Sequence, residues 1–228
     1  MDYRKLYREK LISVEDAVAM VNSADHIVTG LGCGGATAFL EKLVERKDEL
    51  RDVVIHQMLP LYNFSYFQPG MEASFCHNSW FNSVYSRNLV NEKRADFTPN
   101  FFHESPGFFS NYHKINILVA SVSPMDRHGY FSFGLSVDYT KPVAEHADLV
   151  ILEINKEMPR TLGDSFIHIS EVDYLIESDY PIPELPVSEP DKVELKIGEY
   201  VAELIEDGST LQLGIGRIPN AITASLTD

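Results

Sequence analysis

The residues whose types and order are best suited to chemistry lie late in the chain, at Gly214-Ile215-Gly216-Arg217-Ile218-Pro219. Ser209-Thr210-Leu211-Gln212-Leu213 before them predicts a strand, and Asn220 to Leu226 after them predicts a helix. Pro219 falls near the first helical turn, where a missing N–H costs nothing. Glycines at such a turn let a ligand approach the backbone. The N–H groups at the helix start can then bind a phosphate or stabilise the oxyanion of a tetrahedral adduct. A Gly-x-Gly turn by itself fits a plain tight turn equally well.

Other candidates are weaker. Gly30, Gly32, Gly34 and Gly35 follow a strand, but their spacing misses the Gly-x-Gly-x-x-Gly register of a dinucleotide loop, and helix–sheet packing is the simpler expectation. His103-Glu104 and Cys76-His77 have no companions at chelating spacing, so each is expected to be a hydrogen-bonded structural pair and no metal is expected. Gly129-Tyr130-Phe131-Ser132-Phe133-Gly134 lacks the Gly-x-Ser-x-Gly register of a nucleophile elbow. Phe101, Phe102, Phe108 and Phe109 read as core or interface, with an apolar wall for an acyl or pantetheine chain as the alternative.

The elements that must position these residues read as an α/β fold with a mainly parallel sheet flanked by helices. Ser13 predicts a cap for a helix from Val14 to about Asn22, with Glu15 and Asp16 suiting its positive end. Strands are predicted at His26–Gly30, Val53–Met58, Ile115–Ser121 and Leu149–Ile154, and helices around Phe39–Val44 and Tyr139–Ala147. Ile115–Ser121, almost continuously apolar, should be central and covered on both faces. Pro60 to Lys114 shows no sustained period and is expected to be irregular with short helices. Pro181, Pro183, Pro186 and Pro190 predict a linker at 181–191 between a domain over 1–180 and the start of a second over 192–228. Beyond it Val193–Glu206 predicts a helix. Roughly 35 residues cannot build their own core, so more of that second domain is expected to follow.

The 228 residues, 44% hydrophobic, suffice for one large α/β domain. Nineteen basic side chains against 34 acidic ones leave a net charge of −15, which disfavours nucleic acid and anionic lipid without excluding one phosphorylated ligand held locally. No apolar run approaches the roughly 20 residues of a membrane span, and Met1-Asp2-Tyr3-Arg4-Lys5-Leu6 lacks a signal peptide's apolar stretch. Cys33 and Cys76 fit neither a disulfide framework nor a paired-cysteine zinc site, so the reducing cytoplasm is the expected location.

Leu211-Gln212-Leu213-Gly214-Ile215-Gly216-Arg217-Ile218-Pro219-Asn220-Ala221 resembles the coenzyme A-binding signature of the acetyl-CoA hydrolase/transferase family, whose members include 4-hydroxybutyrate and butyrate CoA-transferases. Phe101-Phe102-His103-Glu104, Val122-Ser123-Pro124-Met125-Asp126 with Gly129, Gly134 through Ser136-Val137-Asp138-Tyr139-Thr140, Gly163-Asp164-Ser165-Phe166-Ile167-His168 and Ile205-Glu206-Asp207-Gly208-Ser209-Thr210 resemble the family's pattern in the same order. The resemblance runs from about Asp2 to Asp228. It implies the CoA-transferase fold, with an N-terminal domain and the first elements of a second, similar one.

It also implies ping-pong transfer of coenzyme A between an acyl-CoA and a short-chain carboxylic acid. The nucleophile would be a glutamate beyond residue 228, so no catalytic residue is assigned within this chain. Gly214, Ile215, Gly216, Arg217 and Ile218 would face the coenzyme or the oxyanion. At Arg217 many relatives carry Gly or Ala; a long cation there pairs with a coenzyme phosphate or narrows the acyl pocket, and both readings stay open. The partners implied are acyl-CoA and carboxylate substrates, the remaining C-terminal domain and a second copy in a homodimer, with no tightly bound cofactor. The alternatives are an acyl-CoA hydrolase of the same family and, for this polypeptide alone, a non-catalytic ligand-binding or assembly domain.

Overall fold

The first two helices begin where the sequence supplies side-chain acceptors for orphan N–H groups. In the computed structural model, which describes residues 2–112, 114–184 and 189–226, Asp2 caps α1 (Tyr3–Lys10) and Ser13 caps α2 (Val14–Ala19), its hydroxyl accepting from the Asp16 amide at 3.0 Å. Then follow β1 (His26–Thr29), α3 (Thr37–Leu43), β2 (Val53–Met58), β3 (Phe75–Phe81), α4 (Ser86–Asn91), β4 (Ala95–Phe97) and α5 (Ser105–Tyr112). The chain continues through β5 (Ile117–Val122), β6 (Tyr130–Ser132), α6 (Thr140–Ala144), β7 (Leu149–Asn155), β8 (Phe166–His168) and β9 (Tyr174–Ser178). It ends in α7 (Lys192–Ala202) and α8 (Arg217–Ala224).

Seven strands form one parallel sheet in the order β4-β3-β2-β1-β5-β7-β9, while β6 and β8 pair antiparallel in a separate ribbon. The chain winds outward from β1 to one edge, then returns beside β1 as β5 and winds to the other. Side chains alternate between the two layers: Ile27, Ile117 and Val119 pack on one side, Val28, Leu118 and Ala120 on the other. Every residue of β5 is buried, as expected for a strand covered on both faces.

The strands expected at β1, β2, β5 and β7 form, and so does the helix expected after Ser13. Pro60 to Lys114 differs from expectation, because it contains β3 and β4 as full members of the sheet. The strand character of β3 is hidden by its buried polar centre, His77-Asn78-Ser79: Tyr66 Oη lies 3.1 Å from His77 Nδ1 and Thr98 Oγ1 donates to Asn78 Oδ1 at 2.9 Å, while His77 Nε2 and Ser79 Oγ have no hydrogen-bond partner among the described residues.

The chain divides into two compact units, Met1–Pro183 and Glu184–Asp228. Of the proline-rich segment, 185–188 including Pro186 lie outside the described residues. In the second unit Asp191 caps α7, and Gly198 lies so close to α8 that a Cβ would meet Ala221 backbone at 2.8 Å. The strand expected at 209–213 does not form: within the described residues of this unit no other strand offers the N–H and C=O partners that one requires. Among the described residues no helix is long and apolar enough to cross a membrane.

Burial depresses the His77 pKa from its ordinary value of 6.5 to about 3, so the folded chain holds this imidazole neutral. Below pH 6.5 the unfolded chain takes up a proton that the fold refuses, and stability is lost as pH falls toward the folded value. Urea unfolding at about pH 7.5 and about pH 5 should therefore show an acid loss from this group of roughly 2 kcal/mol. His77→Gln, which keeps a partner for Tyr66, should show a correspondingly smaller loss; an unchanged one would mean that His77 does not carry the acid sensitivity.

Candidate functional site

In a sheet wound this way, the loops leaving β1 and β5 diverge at their carboxyl ends and open a crevice. The connection from β1 to α3 is fixed on every side. Gln57 Nε2 donates to Gly30 O at 3.0 Å, the Ala36 amide donates to Thr29 Oγ1 at 3.0 Å, and Gly35 bridges Ala120 of β5. Gly34 has no room for a side chain, since a Cβ there would lie 2.6 Å from Ser136 Cβ. Gly34 thus answers to close packing of the loop on Ser136, and Gly35 to Gln57 of β2 and Ala120 of β5. Tyr139, fully buried, donates its hydroxyl to Thr29 O at 2.7 Å and accepts from the Met58 amide at 3.3 Å, joining the ends of β1 and β2.

A buried carboxylate sets where α3 begins. Ala36, at the helix start, offers no side-chain cap. Glu153 of β7, 1% exposed, supplies it: Oε1 accepts from the Ala38 amide and Oε2 from the Phe39 amide, both at 3.1 Å. Burial raises the Glu153 pKa above the usual carboxylate value, while the Phe39 and Ala38 amides and the Ser178 side chain pull the other way.

At the carboxyl ends of β1, β2 and β3 lies a cavity of about 230 Å³ lined by Leu31, Met58, Leu59, Trp80, Phe81, Asn100 and Phe102. Leu59, which turns the chain out of β2, holds a left-handed φ of 48° and donates its N–H to Phe81 O at 2.7 Å. A non-glycine residue there costs on the order of 1 kcal/mol, and such strain concentrates at ligand-facing turns. The indole of Trp80 is pinned from behind: Nε1 donates to His56 Nδ1 at 3.2 Å, and the ring stacks on Phe109 with centroids 4.4 Å apart. His56 is itself held by His26, with ring nitrogens 2.9 Å apart. Sequence reasoning missed every lining residue except Phe102. The available signals were the chain's single tryptophan and the Phe101-Phe102 pair.

The residues singled out from the sequence, Gly214 to Ile218, lie in the second unit around the start of α8. Gly216 caps that helix with φ 141°, a left-handed conformation suited to glycine, and its carbonyl accepts from the Asn220 amide at 3.1 Å. Ile215 is 88% exposed. Arg217 pairs with Glu194 at 2.8 Å and Asp191 at 3.6 Å, both at the start of α7.

The remaining candidates settle into structural roles. Cys76 and His77 are consecutive strand residues and point to opposite faces. Cys76 Sγ lies 3.4 Å from Asp96 Oδ2, and burial together with that carboxylate pushes the thiol pKa up to about 11. Glu104 accepts from the Phe101 amide at 3.4 Å. Among the described residues no group of three potential metal ligands comes together. Ser132 is buried in β6, its hydroxyl accepting from the Gly134 amide at 3.1 Å, so it is no exposed nucleophile. Phe109 is core as expected, whereas Phe101 and Phe102 are 70% and 59% exposed; the Phe108 side chain lies outside the described residues.

Glu153→Ala should strip the Ala38 and Phe39 amides of their acceptor and lower stability by about 1–3 kcal/mol. Amide exchange should accelerate first at those two positions; unchanged protection there would show that Glu153 does not anchor α3.

Comparison with known proteins agrees with the family-like motifs. Residues 1–186 match the acetyl-CoA hydrolase/transferase N-terminal domain. The chain is 44% identical over 223 residues to the 4-hydroxybutyrate coenzyme A transferase of Clostridium kluyveri, covering 97% of this chain and 52% of that protein. It is 42% identical over 224 residues to the succinyl-CoA:cyclohexane-1-carboxylate CoA transferase of Geobacter metallireducens, covering 98% of this chain and 51% of that protein. Among solved structures, RipA from Yersinia pestis superimposes with a TM-score of 0.92 at 31% identity, over 98% of this chain and 55% of that one. The chain thus spans about half the length of the curated relatives it matches. Its sheet, its ordered motifs and these similarities together make it a member of the acetyl-CoA hydrolase/transferase family.

Proposed function

We propose that this chain serves, as part of a longer protein, in the transfer of coenzyme A between an acyl-CoA and a short-chain carboxylic acid. The observation that carries the reading is an apolar cavity at the carboxyl edge of a parallel sheet, in a chain whose relatives are named CoA transferases. Such a cavity suits the acyl portion of a thioester, which must leave water before a carboxylate can attack it. Gly214 to Ile218 supply the second part of the reading: backbone at a helix start, next to glycines, can meet a coenzyme phosphate or a developing oxyanion.

In this reaction a glutamate carboxylate adds to the thioester carbonyl and the C–S bond breaks, giving a mixed anhydride and coenzyme A thiolate. The thiolate then attacks the glutamyl carbonyl, releasing the first acid and leaving coenzyme A on the enzyme as a thioester. A second acid takes the coenzyme by the reverse steps. The glutamate belongs beyond residue 228 in this reading, so residues 1–228 bind and do not turn over.

Purified longer protein and residues 1–228 should be incubated with butyryl-CoA, with and without acetate. Acetate-dependent formation of acetyl-CoA by the longer protein alone is the expected result. Equal loss of butyryl-CoA without acetate would make the protein a hydrolase, and exchange by residues 1–228 would contradict the placement of the nucleophile.

A further inference from the structure

The cavity lining carries a restriction on substrate that follows from its chemistry and rests on the transferase reading above. Six of the seven lining residues, Leu31, Met58, Leu59, Trp80, Phe81 and Phe102, are apolar, and no cation is among them. The one polar side chain, Asn100, has both amide hydrogens engaged: Nδ2 donates to Trp80 O at 3.2 Å and to Thr98 O at 2.9 Å. Its Oδ1 already accepts from Ser105 Oγ at 3.1 Å and retains one lone pair. The side chains lining the pocket therefore offer no donor to a negative charge, although Asn100 can still accept from a hydroxyl.

Size admits short acyl groups of either kind, so polarity decides between them. At about 30 Å³ per atom-sized unit, the share of a water molecule in the liquid, the 230 Å³ cavity holds roughly seven or eight heavy atoms. That is enough for a four- to six-carbon acyl group. A carboxylate at the far end of such a group would lose part of its water shell to apolar walls, with no counter-charge or side-chain donor in return. The net charge of −15 adds a repulsive background.

We propose that this cavity selects acyl groups whose distal end is uncharged, alkyl or hydroxyl, and rejects dicarboxylic acyl groups such as succinyl. Selection would thus operate on the acyl terminus and is separable from turnover.

Trp80 is the only tryptophan in the chain and lines the cavity, so its emission reports occupancy without any transfer reaction. Residues 1–228 can be titrated with the butyryl, 4-hydroxybutyryl and succinyl thioesters of N-acetylcysteamine, which share one neutral head. The expected result is a Trp80 shift that saturates with the butyryl and 4-hydroxybutyryl probes at concentrations at least about tenfold lower than with the succinyl probe. Phe102 is largely exposed, so Phe102→Arg should fold, and by placing a guanidinium at the cavity it should tighten the succinyl probe about tenfold. Succinyl binding as tight as butyryl in the parent chain, a Trp80 emission indifferent to all three probes, or no gain in Phe102→Arg would overturn the proposal. Failure of the transferase reading would appear instead as absent exchange in the longer protein while the order of binding here persisted.

Discussion

A carboxylate buried among apolar strands is costly, and Glu153 is tolerated because a helix begins against it. Its two oxygens take the Ala38 and Phe39 amides, groups that Ala36 leaves without a side-chain cap. The contact crosses the centre of the sheet, since Glu153 stands on β7 and α3 follows β1, with β5 between them. It joins the two halves of a doubly wound sheet where their connections part. The glycine-rich loop between β1 and α3 is thereby held at both ends, by Thr29 and Gln57 at one and Glu153 at the other.

The cavity inherits its shape from that anchoring. Leu31, at the start of the loop, forms part of the wall, and the opposite side is built from the ends of β2 and β3. Trp80 cannot swing freely, because His56 accepts from its indole and Phe109 stacks against it. Rigid backing of this kind makes a pocket selective, since a ligand of the wrong polarity cannot be met by rearranged side chains. The second unit is built on a smaller scale. Gly198 lets α7 and α8 approach closely, and Arg217 is engaged by Glu194 and Asp191. A coenzyme phosphate would have to compete with those carboxylates for this guanidinium.

Much of the sheet was legible because β1, β2, β5 and β7 are apolar, β-branched runs bounded by turn residues. β3 was not, because its buried His77 and Asn78 find partners in Tyr66, His56 and Thr98, and no local period reveals such pairings. The segment 209–213 shows the converse: a convincing strand pattern remains unpaired where the described residues offer no neighbouring strand. The ordered motifs pointed to the family, yet the cavity escaped notice. Its lining comes from residues 31, 58–59, 80–81, 100 and 102, which only the strand order brings together. Glu153 did leave a trace, as a lone acid within Leu149-Val150-Ile151-Leu152-Glu153-Ile154-Asn155.

In the proposed reading the carboxyl-edge cavity receives the acyl group. A butyryl thioester carrying a diazirine at its terminal carbon, irradiated with the protein and mapped by peptide mass spectrometry, tests it most directly. Label on Met58, Trp80 or Phe102 is the result this account predicts. Label concentrated beside Lys141, Phe166 and Glu171, or spread evenly over the surface, would contradict it.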